Sequence, residues 1–179
     1  MKLAKYMIAL ALGAMTLSSC SEKSLQKYLV EKQDDEKFVK MDLATSLLQG
    51  KNSDFSQEEK DILNTIKKIN IVAYPIKDGD TADFEKEKKE LTDILAQDRY
   101  KELTRFKSNT WDATLKYTGE EDALDEVIVF ASDSRKGFAV FRLLGENMRP
   151  DQMLQLMKAA ERGDMDILKL GGFSEIFKD

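Results

Sequence analysis

Apolar residues recur along the chain with two different periods, and the switches between them predict a mixture of helices and strands. Leu25, Tyr28 and Leu29 fall at i, i+3 and i+4, the spacing of a short amphipathic helix that exits through the polar run Glu31 to Glu36. Phe38-Val39-Lys40-Met41-Asp42-Leu43 reads as a short strand or the start of a helix, the strand being preferred, followed by a helical turn through Leu47 and Leu48 that ends at Gly50. Ser56-Gln57-Glu58-Glu59 is a capping box, in which the serine hydroxyl takes an early amide and Glu59 reaches back to the Ser56 amide. Ile62, Leu63, Ile66 and Ile69 give the stripe of a helix over roughly 57–67.

The run Ile69 to Ile76 is β-branched and apolar on both faces, which predicts a buried strand fraying where Pro75 removes a ladder donor. Lys77-Asp78-Gly79-Asp80 carries turn chemistry, and a helix follows from about Ala82 to Ala96. Phe84, Leu91, Ile94 and Leu95 form its apolar side, with Glu85 and Lys89 an i,i+4 pair on the other. Four strands come next. Lys101 to Lys107 has the weakest pattern. Trp111, Ala113, Leu115 and Tyr117 alternate with polar residues, as a half-buried antiparallel strand requires. Glu126 to Ser132 and Phe138 to Leu144 are apolar on both faces and should be central, joined by a hairpin loop over 133–137. Pro150 opens a last helix with Met153, Leu154, Met157 and Ala160 buried, and Gly163 stops it. No repeat and no Pro- or Ser-rich linker divides the chain.

The amino-terminal pattern is of another kind. Met1-Lys2-Leu3-Ala4-Lys5 precedes an uncharged run from Tyr6 to Leu17. As a helix that run spans about 18 Å, against about 30 Å of bilayer hydrocarbon, so it is too short for a stable span. A basic start, an apolar centre and small residues behind it describe a secretory signal peptide. Leu17-Ser18-Ser19-Cys20 looks like the lipobox of bacterial lipoproteins, which implies diacylation (palmitate-type) of Cys20, cleavage before it and acylation of the new amino terminus. The plainer alternative is an ordinary signal peptide whose mature protein keeps a thiol. Each buried CH₂ adds about 0.8 kcal/mol to membrane partitioning, so two or three acyl chains hold a protein almost permanently.

Composition narrows the chemistry. Cys20 is the one cysteine, which excludes an intramolecular disulfide. Histidine is absent, which excludes Ser-His-Asp and Cys-His nucleophiles, His-ligated zinc and an imidazole acid or base. Loss of residues 1–19 removes Lys2 and Lys5 and takes the net charge from −5 to −7, an acidic balance that argues against a nucleic-acid partner.

Three motifs invite a chemical reading. Asp78-Gly79-Asp80-Thr81-Ala82-Asp83 resembles a calcium loop, but its glycine is second rather than sixth and Lys89 stands where the bidentate glutamate belongs. Glu120-Glu121-Asp122 with Asp125 and Glu126 is the densest acidic cluster. Two such carboxylates can cleave a glycosidic bond, although a solvated loop explains them more simply. Arg162-Gly163-Asp164 has its glycine where a helix C-cap belongs. The methionines at 148, 153, 157 and 165 are expected to fill core, with a docking groove as the other reading. Trp111, Tyr117, Phe130 and Phe141 are also expected in the core. No catalytic, cofactor-binding or metal-binding residue is assigned, and Cys20 is the only site.

The order lipobox, short helix, Phe38-Val39-Lys40-Met41, capped helix into Lys68-Ile69-Asn70-Ile71-Val72, charged helix, several strands and final helix resembles a domain-of-unknown-function family of small Bacteroidota-type lipoproteins. That resemblance covers about residues 25 to 160 and implies compartment and architecture only. The expected fold is α+β, an antiparallel-rich sheet of about four to six strands with helices packed mainly on one face. The expected organisation is a cleaved signal at 1–19, a lipidated anchor and short tether helix at 20–36, and one domain at 37–179. The expected function is a non-enzymatic binding module of the cell envelope, with a carboxylate-dependent envelope hydrolase as the alternative. Its expected partners are the bilayer, through acylated Cys20, and an envelope protein or cell-wall component. Ser21 is not the aspartate that resembles an inner-membrane retention signal, and no acidic run like those of surface-displayed lipoproteins follows Cys20, so that likeness implies the periplasmic leaflet of the outer membrane of a Gram-negative bacterium as the expected location.

Overall fold

The computed structural model describes residues 22–45, 55–76, 81–107 and 111–161. The β-branched and aromatic runs form six strands: β1 Val39–Ala44, β2 Ile66–Pro75, β3 Lys101–Lys107, β4 Trp111–Glu120, β5 Ala123–Asp133 and β6 Gly137–Met148. The amphipathic stretches form four helices: α1 Leu25–Glu31, α2 Gln57–Thr65, α3 Thr81–Leu95 and α4 Pro150–Glu161. All strands join one antiparallel sheet in the order β1-β2-β6-β5-β4-β3, so the fold is α+β, as the periodicities predict.

Local chemistry starts and stops these elements as expected. Ser24 caps α1 by accepting from the Lys27 amide at 3.1 Å, and the capping box at Ser56 and Glu59 is formed in full. α2 ends at Thr65 because β2 begins on the next residue, which moves Ile66 and Ile69 from helix to strand. Lys89 pairs with Asp93 in the next turn, rather than back to Glu85. The turns at Leu47–Gly50 and 77–80 and the stop at Gly163 fall outside the described residues. At the β5–β6 hairpin Gly137 has φ +120°, and a Cβ there would lie 2.0 Å from the Tyr74 carbonyl oxygen, so only glycine fits.

The sheet has two covered faces. Odd-numbered positions of the central strands, among them Ile69, Ile71, Val127 and Ala139, pack under Ile62 and Leu63 of α2 and Met153 and Leu156 of α4. Even-numbered positions, among them Val72, Ile128, Phe138 and Val140, pack under α1 and α3. The helices therefore divide two and two, where the sequence pattern suggests one main face. The cause lies in the central strands, which are apolar on both sides and need cover on both.

α1 belongs to this core. Leu25 and Tyr28 have no exposed surface, and Tyr28 meets Phe38 edge to face at 6.3 Å. Tyr28 also donates to Glu87 of α3 at 3.2 Å, and Lys32 pairs with the same carboxylate at 2.6 Å. Burial, then the Glu87 charge, holds the Tyr28 hydroxyl far above its ordinary pKa, so it remains a donor. A helix expected to serve as a tether is thus part of the packed domain.

Candidate functional site

Strand registers align one row of residues across the whole even-numbered face: Asp42, Asn70, Arg142, Ile128, Lys116 and Glu102. Five of these six side chains are polar, on strands otherwise chosen for apolar burial. α1 crosses the row, and beside it opens a groove of about 470 Å³. Leu29 and Val30 of α1 form one wall, while Asp42, Lys68, Asn70 and Arg142 contribute to the floor. Val30 is 55% exposed on this rim.

The polar groups bind one another. Arg142 is buried, donates through Nε to Glu126 of β5 and through Nη1 to Gln26 of α1, and so ties the helix to the centre of the sheet. Asp42 accepts from Asn70 and pairs with Lys68 at 2.8 Å. The Lys68 hydrogen bond, followed by that from Asn70, outweighs partial burial and holds the Asp42 carboxyl below its ordinary range. Lys40 reaches from β1 to the carbonyls of Lys32, Gln33 and Asp35 at 3.3, 3.0 and 2.7 Å, closing the carboxyl end of α1. At the far end of the row, Lys116 donates to the Tyr100 carbonyl at 3.0 Å, and burial pushes its pKa down.

The arrangement sets polar side chains beside apolar surface. Its lining combines three cations with one carboxylate, three side-chain amides and apolar contact surface. Hydrogen-bond partners fix the orientation of Asp42, Asn70, Arg142 and Gln26 in the structure as it stands.

The residues singled out in the sequence are scattered. Cys20, Asp78 to Asp80 and Arg162 to Asp164 lie outside the described residues. Asp83 stands half-buried in the first turn of α3, paired with Lys37. Glu120, Glu121 and Asp122 lie exposed around the β4–β5 turn, as a solvated loop should. Glu126 departs from that cluster and is buried against Arg142. Met148 and Met153 fill core, whereas the side chains of Met157 and Met165 lie outside the described set. Tyr117 and Phe130 are buried and Phe141 is half-buried, but Trp111 is 46% exposed near the β3–β4 turn, contrary to expectation. Among the described residues, neither core cluster takes in Trp111. Sequence reading missed Asn70, Arg142 and Gln26. The signal for the first two was there: each is a lone polar residue inside a strand that is apolar on both faces.

These features define an α+β domain with one antiparallel sheet, helix pairs on both faces and a polar groove beside the first helix. The chain belongs to the family described as Domain of unknown function (DUF4252), which matches residues 28–156 and so takes in every strand. No curated protein and no solved structure matches it.

Proposed function

We propose that this chain is a lipoprotein held by acylated Cys20 in the periplasmic leaflet of the outer membrane of a Gram-negative bacterium. Its domain is a non-enzymatic binding module, and an envelope protein or cell-wall component seats in the α1 groove. The observation that carries the binding reading is the groove itself, with an apolar rim at Leu29 and Val30 over a floor of side chains already oriented by one another. The lipobox at Leu17 to Cys20 supports the anchor, and no described helix is long and apolar enough to span a membrane in its place.

The test places a photo-crosslinking residue at Val30 in intact cells. A discrete adduct is expected, lost when Asn70→Trp fills the groove and retained in Lys107→Glu on the far edge strand. In the same cells Cys20→Ala is expected to leave the envelope pellet and to take up no labelled fatty acid. Absence of any adduct at Val30, or turnover of cell-wall fragments by the purified mature chain, overturns the binding reading.

A further inference from the structure

The chain is fastened to its own domain almost immediately after the expected lipid. Gln97 Nε2 donates to the Lys23 carbonyl at 2.8 Å, and the Leu25 amide donates to the Tyr100 hydroxyl at 2.9 Å. Arg99 reaches the Lys23 carbonyl at 3.3 Å and the Glu22 carbonyl at 3.5 Å. The Lys23 ammonium pairs with Glu31 of α1 and Glu90 of α3. Burial works against that charge, but the two carboxylates more than offset it and raise its pKa. These contacts bind residues 22–25 to the turn between α3 and β3.

Only Ser21 separates Glu22 from Cys20. Two residues of fully extended chain span at most about 7 Å. A flexible linker of twenty residues, by contrast, covers about 25 Å on average. A lipid on Cys20 therefore leaves the domain no room to swing.

We propose that the domain sits directly on a phospholipid surface in one fixed orientation, with the α3–β3 turn against the headgroups. This rests on the anchored reading above. The residues around the attachment suit such a contact. Lys27, Arg99 and Lys101 are exposed there among the exposed acids Glu22, Glu31, Asp98 and Glu102, so the surface beside the attachment is polar and of mixed charge. Exposed lysine and arginine beside a bilayer are drawn to anionic headgroups. β3 then leads away from the attachment, and its seven residues cover about 20 Å. Phe106 and Trp111, two of the three large apolar side chains found exposed among the described residues, lie at that remote end.

The experiment couples the Cys20 thiol of the mature chain to a maleimide-bearing phospholipid. The vesicles are of phosphatidylethanolamine and phosphatidylglycerol and carry nitroxide-headgroup lipid as a quencher. The chemical coupling makes the result independent of acylation in cells, which labelled fatty acid reads separately. Trp111 is the only tryptophan, so the native chain reports on the remote end and a Lys101→Trp, Trp111→Phe chain reports on the near end. Quenching at position 101 is expected to exceed that at Trp111 by at least about threefold, given the length of strand between them. A twenty-residue Gly-Ser insertion between Ser21 and Glu22 is expected to erase the difference. Equal quenching in the chain of native length, or a difference that survives the insertion, overturns the proposal. An unlabelled Cys20 in cells would instead overturn the anchored reading and leave the vesicle result standing.

Discussion

Arg142 stands opposite Asn70 across β6 and β2, and its guanidinium turns from there to Glu126 on β5 and Gln26 on α1. One buried cation thus joins the sheet centre to the groove wall. Removing a single partner of a buried pair costs about 3–5 kcal/mol, because the other charge stays buried. Glu126→Ala and Arg142→Ala should each lower the unfolding free energy obtained from urea denaturation by an amount in that range. The double variant Glu126→Leu, Arg142→Met should lose much less than the sum. Additive losses would show that the two residues act separately.

Glu87 joins α3 to α1 through Tyr28 and Lys32. Tyr28→Phe keeps the ring packing and removes one donor to a charged acceptor, a loss of about 1.5–3 kcal/mol. Lys32→Met removes the countercharge and should cost more. Urea denaturation of the two variants ranks them, and the reverse order would place the stabilisation in the hydroxyl.

Gly137→Ala should be strongly damaging. A left-handed backbone alone costs a side chain on the order of 1–3 kcal/mol, and here the Tyr74 carbonyl also occupies the space. Gly119→Ala, where φ is +100° and the nearest atom stands at 2.8 Å, should lose less. Thermal melts followed by circular dichroism compare them directly.

Acid should loosen the groove floor. The Asp42 carboxyl has a lowered pKa in the folded chain, with the Lys68 hydrogen bond as the first cause. A lowered carboxyl contributes stability above its unfolded pKa of about 3.9 and loses it as the pH falls through the folded value. Asp42→Asn should therefore cost a little stability near neutral pH and none at low pH, which flattens the acid limb of the stability–pH curve. The effect is small because the Asp42 side chain is 63% exposed. A variant whose acid limb matches the parent would remove Asp42 from the account.

Trp111 should emit as a solvated indole in the native state and be quenched readily by iodide. Trp111→Ser should change stability by less than about 0.5 kcal/mol, as expected for a surface position. A blue-shifted native spectrum would instead mean that the ring is covered.

Much of this fold was legible because the physics that writes it is local. The serine at 56 with Glu59 three residues on, the β-branched run at 69–76 and the alternation from 111 to 117 each fix an element within a few residues. The same alternation could not tell whether a helix covers the face it marks, so Trp111 was assigned to the core. The double-sided apolar strands already implied helices on both faces, and the one-face expectation ignored that. The groove was harder to read. Its floor is assembled by register between β1, β2 and β6, and Asn70 meets Arg142 across 72 positions of sequence. A single polar residue in a strand says that a partner is needed without saying where in the chain it lies.

The sheet closes late. β2 finds its β6 partners 62 positions onward at Pro75 with Gly137 and 79 onward at Ile66 with Gly145. Ring closure over such distances is entropically slow, and the middle of the sheet cannot knit until the final strand has been synthesised. The growing polypeptide stays open at its centre until then, and β2 waits with one edge unpaired.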